Sequence, residues 1–271
     1  MVTAIDHIHY HLRDVDASAK FFETLGLKTI HRTLHTGKAV ELKIPGFEAI
    51  VELCILGRTL PLGVNHIAHQ VPDINKAYQI LKTQGINFEP FPSEIIPFFI
   101  PDTGRWCLNT RDPVGWRVQL VDAKREEPIG SDEEDEVKVR APKEFNPLVT
   151  AIDHIQFLAT DVEATAKFYQ TLGYKRLEKT VPAAGEAELK LPGFETILKI
   201  AKVFGPNQPG LNHVAFRVPD IKKAYEILGK QGFEFIPFPK PEIPCFDPEE
   251  GKWVLNMRDP NGICVQLVSD K

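Results

Sequence analysis

The sequence has few cysteines and no long apolar run, and both absences exclude classes of protein. Its 4 cysteines show no CxxC spacing, which argues against a zinc knuckle or a disulfide framework and favours reduced residues of a core or a binding cup. No apolar run approaches the roughly 18 residues that a membrane-spanning helix needs. The N-terminus also lacks the order of charged, apolar and small residues that is typical of a secretory signal. We therefore expect a cytoplasmic protein without a membrane partner.

Positive charge is not in excess. The chain carries 32 Lys and Arg against 37 Asp and Glu, a formal net charge of −5, which leaves no electrostatic footprint for nucleic acid. Its 271 residues, 43% hydrophobic and 25% charged, suffice for two globular domains that each bury a core. A small-molecule substrate is the expected partner, and the oligomeric state stays open.

The sequence repeats itself at one offset, 147 residues. Three segments recur at this offset: TAIDHI from Thr3 at Thr150, PGFE from Pro45 at Pro192, and VQLV from Val118 at Val265. One offset that holds over a whole copy indicates two homologous domains with nearly equal loops. We predict glyoxalase-like domains at residues 1–125 and 148–271. The segment 126–147 between them, with an acidic run at its centre, has the composition of a solvated linker.

A weaker repeat, at an offset of 59, divides each copy into two modules. His7, Asp14 and Gly26 recur as His66, Asp73 and Gly85. In the first module an alternating strand ends at an Asp that can cap a helix, and the helix stops at a Gly. Three strand-like runs follow. The predicted elements are Ile5–Leu12, helix Ala17–Leu25, Lys28–Leu34, Ala39–Leu42 and Ala49–Ile55, which make a βαβββ unit.

Strand alternation separates a helix-covered face from an open face. In the run Glu48–Ile55 the open face receives Glu52, and in Gly115–Val121 it receives Arg117 and Gln119. The first strand places His7, His9 and His11 on one face. These polar side chains are therefore expected to line a cup.

The pattern resembles the vicinal oxygen chelate superfamily, which contains glyoxalase I, bleomycin-resistance proteins and extradiol dioxygenases. The residues that carry the resemblance are IDHIHYHLRDVDASAKFFETLG, AIVEL, VNHIAHQVPD and DPVGWRVQLV. It implies an α+β fold in which four βαβββ modules pair into two incomplete eight-stranded barrels, or glyoxalase-like cups. The implied ligand positions are His7, Glu52, His66 and Gln119 in the first copy, and His154, Lys199, His213 and Gln266 in the second.

The implied ligands differ between the copies. Two imidazoles, one carboxylate and one amide oxygen suit a divalent ion such as Zn, Ni, Fe, Mn or Co, so we expect one such metal in the N-terminal domain. Relatives usually carry Glu where Gln119 stands, and this change weakens metal binding and removes a candidate base. Lys199 places an ammonium at a ligand position and repels a divalent ion. We expect no metal in the C-terminal domain.

Four residues of the first cup are candidates for chemistry. Glu52 is expected to act as ligand, base or both, and His9 or His11 as proton carrier. Arg117 can hold a substrate carboxylate. The proline- and aromatic-rich stretch Pro90–Gly104 is expected either to fold over the cup mouth, where Phe91, Phe98 and Phe99 could bind an apolar ring, or to pack between domains.

The resemblance favours a metal-dependent enzyme acting on a small carbonyl or aromatic compound. Its reaction would be proton transfer of the isomerase or lyase type at a divalent metal in the N-terminal cup. Two alternatives stay open: an extradiol-type dioxygenase with Fe(II), and a non-catalytic small-molecule binder like the bleomycin-resistance proteins. Metal content and oxygen uptake would distinguish them.

Overall fold

The computed structural model describes residues 1–33, 39–57, 62–90, 94–123, 148–178, 185–205, 207–238 and 240–271. The predicted linker at 126–147 lies outside these residues, so the predicted domain boundaries stay a prediction. Within the described ranges, no helix is long and apolar enough to cross a membrane. All four cysteines are free thiols, as predicted.

The described residues form an α+β structure with the same element order in both copies. The first copy contains β1 (Ala4–Leu12), α1 (Val15–Leu25), β2 (Lys28–Thr33), β3 (Ala39–Lys43), β4 (Ile50–Ile55), β5 (Gly63–Val71), α2 (Ile74–Thr83), β6 (Phe88–Glu89), β7 (Phe98–Ile100), β8 (Arg105–Arg111) and β9 (Arg117–Asp122). The second contains β10 (Ala151–Ala159), α3 (Val162–Leu172), β11 (Lys175–Arg176), β12 (Glu186–Lys190), β13 (Ile197–Lys202), β14 (Gly210–Arg217), α4 (Ile221–Lys230), β15 (Phe235–Ile236), β16 (Cys245–Asp247), β17 (Lys252–Arg258) and β18 (Cys264–Ser269).

Each copy builds one open sheet. The strand order is β2-β3-β4-β1-β5-β9-β8-β6 in the first and β11-β12-β13-β10-β14-β18-β17-β15 in the second. These eight-stranded paths confirm the predicted cup fold. A ninth strand, β7 or β16, adds to each sheet by pairing with β8 or β17. The second module of each copy therefore has one strand more than the predicted βαβββ unit.

The capping residues of α1 and the two faces of β1 agree with the sequence prediction. The Asp14 side chain accepts a hydrogen bond from Ala17 N at 2.9 Å, which caps α1, and Gly26 ends it with φ 106. The left-handed backbone at Gly26 strains any residue with a Cβ, so glycine is favoured there. In β1 the side chains of Tyr10 and Leu12 are buried, whereas His9 on the other face is half-buried.

The chain divides into two compact units that do not coincide with the sequence repeats. Unit 1 holds the described residues of Met1–Tyr10, Val64–Val137 and Phe157–Leu211, and unit 2 those of His11–Gly63, Lys138–Gln156 and Asn212–Lys271. Unit 1 thus combines the second module with most of the third and with the first strand of the first module up to Tyr10. Unit 2 combines the fourth module with the rest of the first and with the start of the third up to Gln156.

At one pair of matching positions the core of unit 2 holds apolar side chains, whereas the core of unit 1 holds polar ones. In unit 2 the rings of Phe22 and Phe216 lie 6.0 Å apart. At the matching positions unit 1 has Tyr169 and His69, and His69 Nε2 is hydrogen-bonded to the Tyr174 hydroxyl at 2.9 Å. Burial lowers the pKa of His69 to about 4 because the interior disfavours the charged ring.

A buried carboxylate also belongs to the unit 1 core. Asp112 is 4% exposed, and burial raises its pKa to about 6, although backbone N–H groups of Trp116 and Val114 and the Tyr169 hydroxyl oppose the rise. No sequence pattern predicted a role for these residues. Their burial makes them structural groups of the core.

Candidate metal centre

The candidate centre in unit 1 is built on two facing imidazoles. His7 on β1 and His66 on β5 place their Nε2 atoms 3.3 Å apart. His7 Nδ1 donates to Asp6 Oδ1 at 2.9 Å, and His66 Nδ1 donates to Asn65 Oδ1 at 2.8 Å. With each Nδ1 proton held by an oxygen, both Nε2 lone pairs point at the same space. Such a pair can accept a cation between its two Nε2 atoms.

The spacing of this pair fits a divalent metal ion. Two nitrogen ligands at about 2.0–2.1 Å from a tetrahedral ion lie roughly 3.3–3.4 Å apart, close to the separation of His7 and His66. Burial would raise the pKa of Asp6, but His7 and Arg105 outweigh burial and lower it. Asp6 therefore stays ionised and holds His7 in the tautomer that a metal requires.

Gln119 on β9 offers an oxygen to the same region of unit 1. It is 8% exposed, and its Nε2 donates to Asn109 Oδ1 at 3.2 Å. This bond fixes the orientation of the amide and leaves Oε1 as the possible ligand atom. In the register of the parallel strands Gln119 pairs with Ala68, two residues beyond His66.

His9 joins the imidazole pair. Its ring stacks on the ring of His66, with centroids 4.6 Å apart and planes 18° from parallel. One ligand atom from each of His7, His9 and His66 lies within 4.8 Å of the others. His9, for which the sequence predicts a proton-carrying role, thus lies beside the candidate ligands His7 and His66.

Glu52 lies on β4 in unit 2. Its Cα is opposite that of Glu41 on β3, and the Cys54 thiol lies 3.9 Å from Glu52 Oε1. Burial and the negative charges of Glu52 and Glu41 raise the pKa of Cys54, so the thiol keeps its proton. Glu52 is half-buried between the buried side chains of Val51 and Leu53, on the open face that alternation predicts. Its role as a ligand stays a prediction.

Arg117 is engaged with an acidic neighbour in unit 1. Its Nε lies 3.7 Å from Glu89 Oε2. Burial lowers the pKa of Arg117, while Glu89 opposes this shift. A substrate carboxylate would have to compete with Glu89 for the guanidinium.

The second copy repeats the imidazole pair within unit 2. His154 Nε2 and His213 Nε2 lie 3.1 Å apart. Their Nδ1 atoms donate to Asp153 at 2.9 Å and to Asn212 at 2.8 Å. The amide of Gln266 is likewise held, with Nε2 donating to Asn256 Oδ1 at 3.0 Å. Three of the four implied ligand positions therefore keep the arrangement of the first copy.

Two details of the second copy differ. Asp153 receives Arg217 at 3.0 Å and Lys252 at 2.9 Å, where Asp6 receives Arg105. In unit 1, Lys199 on β13 lies opposite Glu188 on β12, and its Nζ is 3.8 Å from Glu188 Oε1. The strand pair that carries two carboxylates in the first copy carries an ion pair here.

The groups that orient the candidate ligands were not predicted from the sequence. Each of the four histidines follows directly on an Asp or Asn, as in Asp6-His7 and Asn65-His66. The Asn that orients the glutamine recurs in LNTRDP and LNMRDP, at Asn109 and Asn256. An acceptor directly before each candidate histidine is a sequence signal that could have identified these orienting groups.

Both sequence repeats match one known protein family. A family model described as Glyoxalase/Bleomycin resistance protein/Dioxygenase superfamily matches residues 4–120 and again residues 151–267. A comparison with curated protein sequences gives no match.

Solved structures share the fold. The Mn(II)-bound glyoxalase from Novosphingobium aromaticivorans is 16% identical, with a TM-score of 0.71 over 99% of this chain and 82% of that chain. A variant of homoprotocatechuate 2,3-dioxygenase from Brevibacterium fuscum is 18% identical, with a TM-score of 0.66 over 98% of this chain and 71% of that chain. At such identities the likeness shows the fold, and function has to be argued from the site.

Proposed function

We propose that this chain, which belongs to the glyoxalase/bleomycin resistance protein/dioxygenase superfamily, is a metal-dependent enzyme that moves a proton beside a carbonyl of a small substrate. The reaction is of the isomerase or lyase type and takes place in the first copy. The observation that carries the proposal is the pair of His7 and His66 Nε2 atoms 3.3 Å apart, each imidazole being oriented from its Nδ1 side.

The proposed ligands are His7, His66, Gln119 and Glu52. A divalent ion at this position supplies a Lewis acid that polarises a substrate oxygen. Gln119 carries no charge and cannot take up a proton, so acid-base work falls to Glu52 or to His9. The stacking of His9 on His66 supports a role beside the reacting atoms, and an imidazole exchanges protons near neutral pH.

Metal analysis of purified protein tests the proposal. We expect one equivalent of a divalent metal per chain, and a Co(II) titration in which His66→Ala and Glu52→Gln each weaken binding by at least about 100-fold. His31→Ala is the matched control, because His31 is an exposed histidine of β2 and its loss should leave the affinity unchanged. Wild-type protein that binds no metal, or binding that survives His66→Ala, would contradict the proposal.

Oxygen uptake separates proton transfer from its alternatives. The proposed reaction consumes no oxygen, so an oxygen electrode should record no uptake when the loaded protein meets catechols. Uptake together with ring cleavage would replace the proposal by an extradiol-type dioxygenase. A protein that binds aromatic or anionic compounds without any metal would instead be a binder of the bleomycin-resistance kind.

A further inference from the structure

Unit 2 contains a cavity of about 910 Å³ beside helix α1, which is large enough for a small molecule. Three aromatic side chains line it: Phe21, Phe233 and Phe235. Phe21 is 4% exposed, and its ring centroid lies 5.4 Å from that of Phe233. Phe235 is half-buried. None of the lining residues is a proposed metal ligand, so the proposed function leaves this cavity without a role.

Two exposed cations, Lys20 and Arg258, also line this cavity. Neither forms an ion pair with another residue that the structure describes, and Arg258 Nη1 donates to Gly262 O at 2.7 Å. The lining carboxyl groups are those of Glu234, which is exposed, and Asp259, which is 4% exposed and accepts from backbone N–H groups. The guanidinium of Arg258 therefore has donors left for an anionic ligand.

The matching cavity of unit 1 contains a carboxylate from the chain itself. It measures about 360 Å³ and is lined by Glu89 and Arg111, the counterparts of Ile236 and Arg258 at the offset of 147 residues. Arg111 Nη1 donates to Gly115 O at 2.7 Å, but Arg111 Nε also donates to Glu89 Oε1. Because Ile236 offers no acceptor, the same position in unit 2 is open to the carboxylate of a ligand.

We propose that the cavity of unit 2 binds a small aromatic carboxylate. Its ring packs against Phe21, Phe233 and Phe235, and its carboxylate pairs with Arg258, whose planar guanidinium matches two carboxylate oxygens. Lys20 adds a second positive charge, which attracts the anion and exceeds the single opposing charge of exposed Glu234. The inference goes beyond the proposed function and does not depend on a metal.

Isothermal titration calorimetry with 2-naphthoate tests the charge recognition, with the neutral 2-naphthamide as the matched ligand. Wild type should bind one 2-naphthoate per chain and should bind the amide at least about 10-fold more weakly. Arg258→Met should weaken 2-naphthoate binding by about the same factor. Arg111→Met is the matched control, because it removes the corresponding bond to a glycine carbonyl in unit 1 and should leave the affinity unchanged.

A second variant tests the comparison between the two cavities. Ile236→Glu places in unit 2 the carboxylate that Glu89 supplies in unit 1, so it should occupy Arg258 and weaken 2-naphthoate binding by at least about 10-fold. Ile236→Leu keeps the position apolar and should retain the wild-type affinity. Circular dichroism melting of each variant checks that the fold is intact. Folded Arg258→Met and Ile236→Glu variants that bind as tightly as wild type would overturn the inference.

A chelator separates this site from the metal centre, because a carboxylate could also coordinate a metal ion. The titration of wild type in EDTA should give the same affinity for 2-naphthoate. Binding that EDTA abolishes, or wild type that binds no 2-naphthoate, would overturn this inference and leave the proposed function standing. Protein that binds 2-naphthoate but never holds a metal would contradict the proposed function and support this inference.

Discussion

His69 is fully buried in unit 1, and its titration should contribute to the pH dependence of folding. Burial holds its pKa near 4 in the folded state, against about 6.5 in an unfolded chain. The unfolded state therefore binds a proton first as the pH falls. The contribution is complete above about pH 6.5 and is lost as the pH falls toward 4. Between pH 7.5 and 5.5 it amounts to about 1.4 kcal/mol.

Chemical denaturation of His69→Phe at these two pH values tests this assignment. The second copy carries Phe216 at the matching position, so the substitution has a precedent in the same fold. The variant should be less stable at both values because the Tyr174 hydroxyl loses its partner. Its free energy of unfolding should nevertheless fall less on acidification, by about 1.4 kcal/mol. An unchanged pH dependence would show that His69 does not titrate as described.

Residues were predictable where the physical cause is local. Alternation placed His7 and His9 on one face of β1, where their ring centroids lie 6.4 Å apart, because the side-chain direction of a strand residue depends only on its neighbours. The bond between His69 and Tyr174 joins residues 105 positions apart, and no periodicity indicates which distant helix will cover a strand. The sequence therefore predicted no role for His69.

At the scale of elements, the start of helix α1 is hydrogen-bonded to a turn near the C-terminal end of the chain. Asn261 lies between β17 and β18 in unit 2. Its Oδ1 accepts from Arg13 N at 2.9 Å and Asp14 N at 3.0 Å. Its Nδ2 donates to Asp14 O and Ser18 Oγ, both at 2.8 Å. One side chain thus holds the start of α1 through four hydrogen bonds.

Replacing Asn261 by Ala should destabilise the protein by about 2–4 kcal/mol, because several backbone groups lose partners in a part-buried turn. Urea denaturation measures the change. Val114 occupies the matching turn of the first copy, and Val114→Ala should cost no more than about 1 kcal/mol. Equal losses of unfolding free energy in the two variants would mean that the hydrogen bonds of Asn261 do not specifically stabilise the start of α1.

The boundaries of the elements were predicted correctly only where nearby residues determine them. The Asp14 cap was predicted, yet α1 begins at Val15, before the predicted Ala17, because helical backbone follows directly on a capping residue.

Strand β7 was not predicted from the sequence. It has three residues after Pro97 and is stabilised by non-local contacts, since Phe98, 2% exposed, packs with Ala68 and Val121. Because Phe98 is buried, its ring is not accessible to a ligand. Phe91 lies outside the described residues.

For the whole molecule, the two compact units cross the boundary between the sequence repeats. In unit 2, Phe21 and Phe22 of the first copy contact Phe233 and Phe216 of the second, with ring centroids 5.4 and 6.0 Å apart. Leu25 O accepts from Val149 N at 3.0 Å. The repeat predicts two separable domains, but the helix faces of each copy are covered by the other copy.

Fragments 1–125 and 148–271 made separately should therefore not behave as independent domains. Each would expose aromatic side chains that contribute about 1.5–3 kcal/mol apiece when buried, so each should bind an apolar dye such as ANS. When mixed, the fragments should form a one-to-one complex on size-exclusion chromatography and release the dye, because their faces complement each other. The prediction would be wrong if fragment 1–125 stayed monomeric, unfolded cooperatively and did not bind fragment 148–271. Each repeat would then complete its own core.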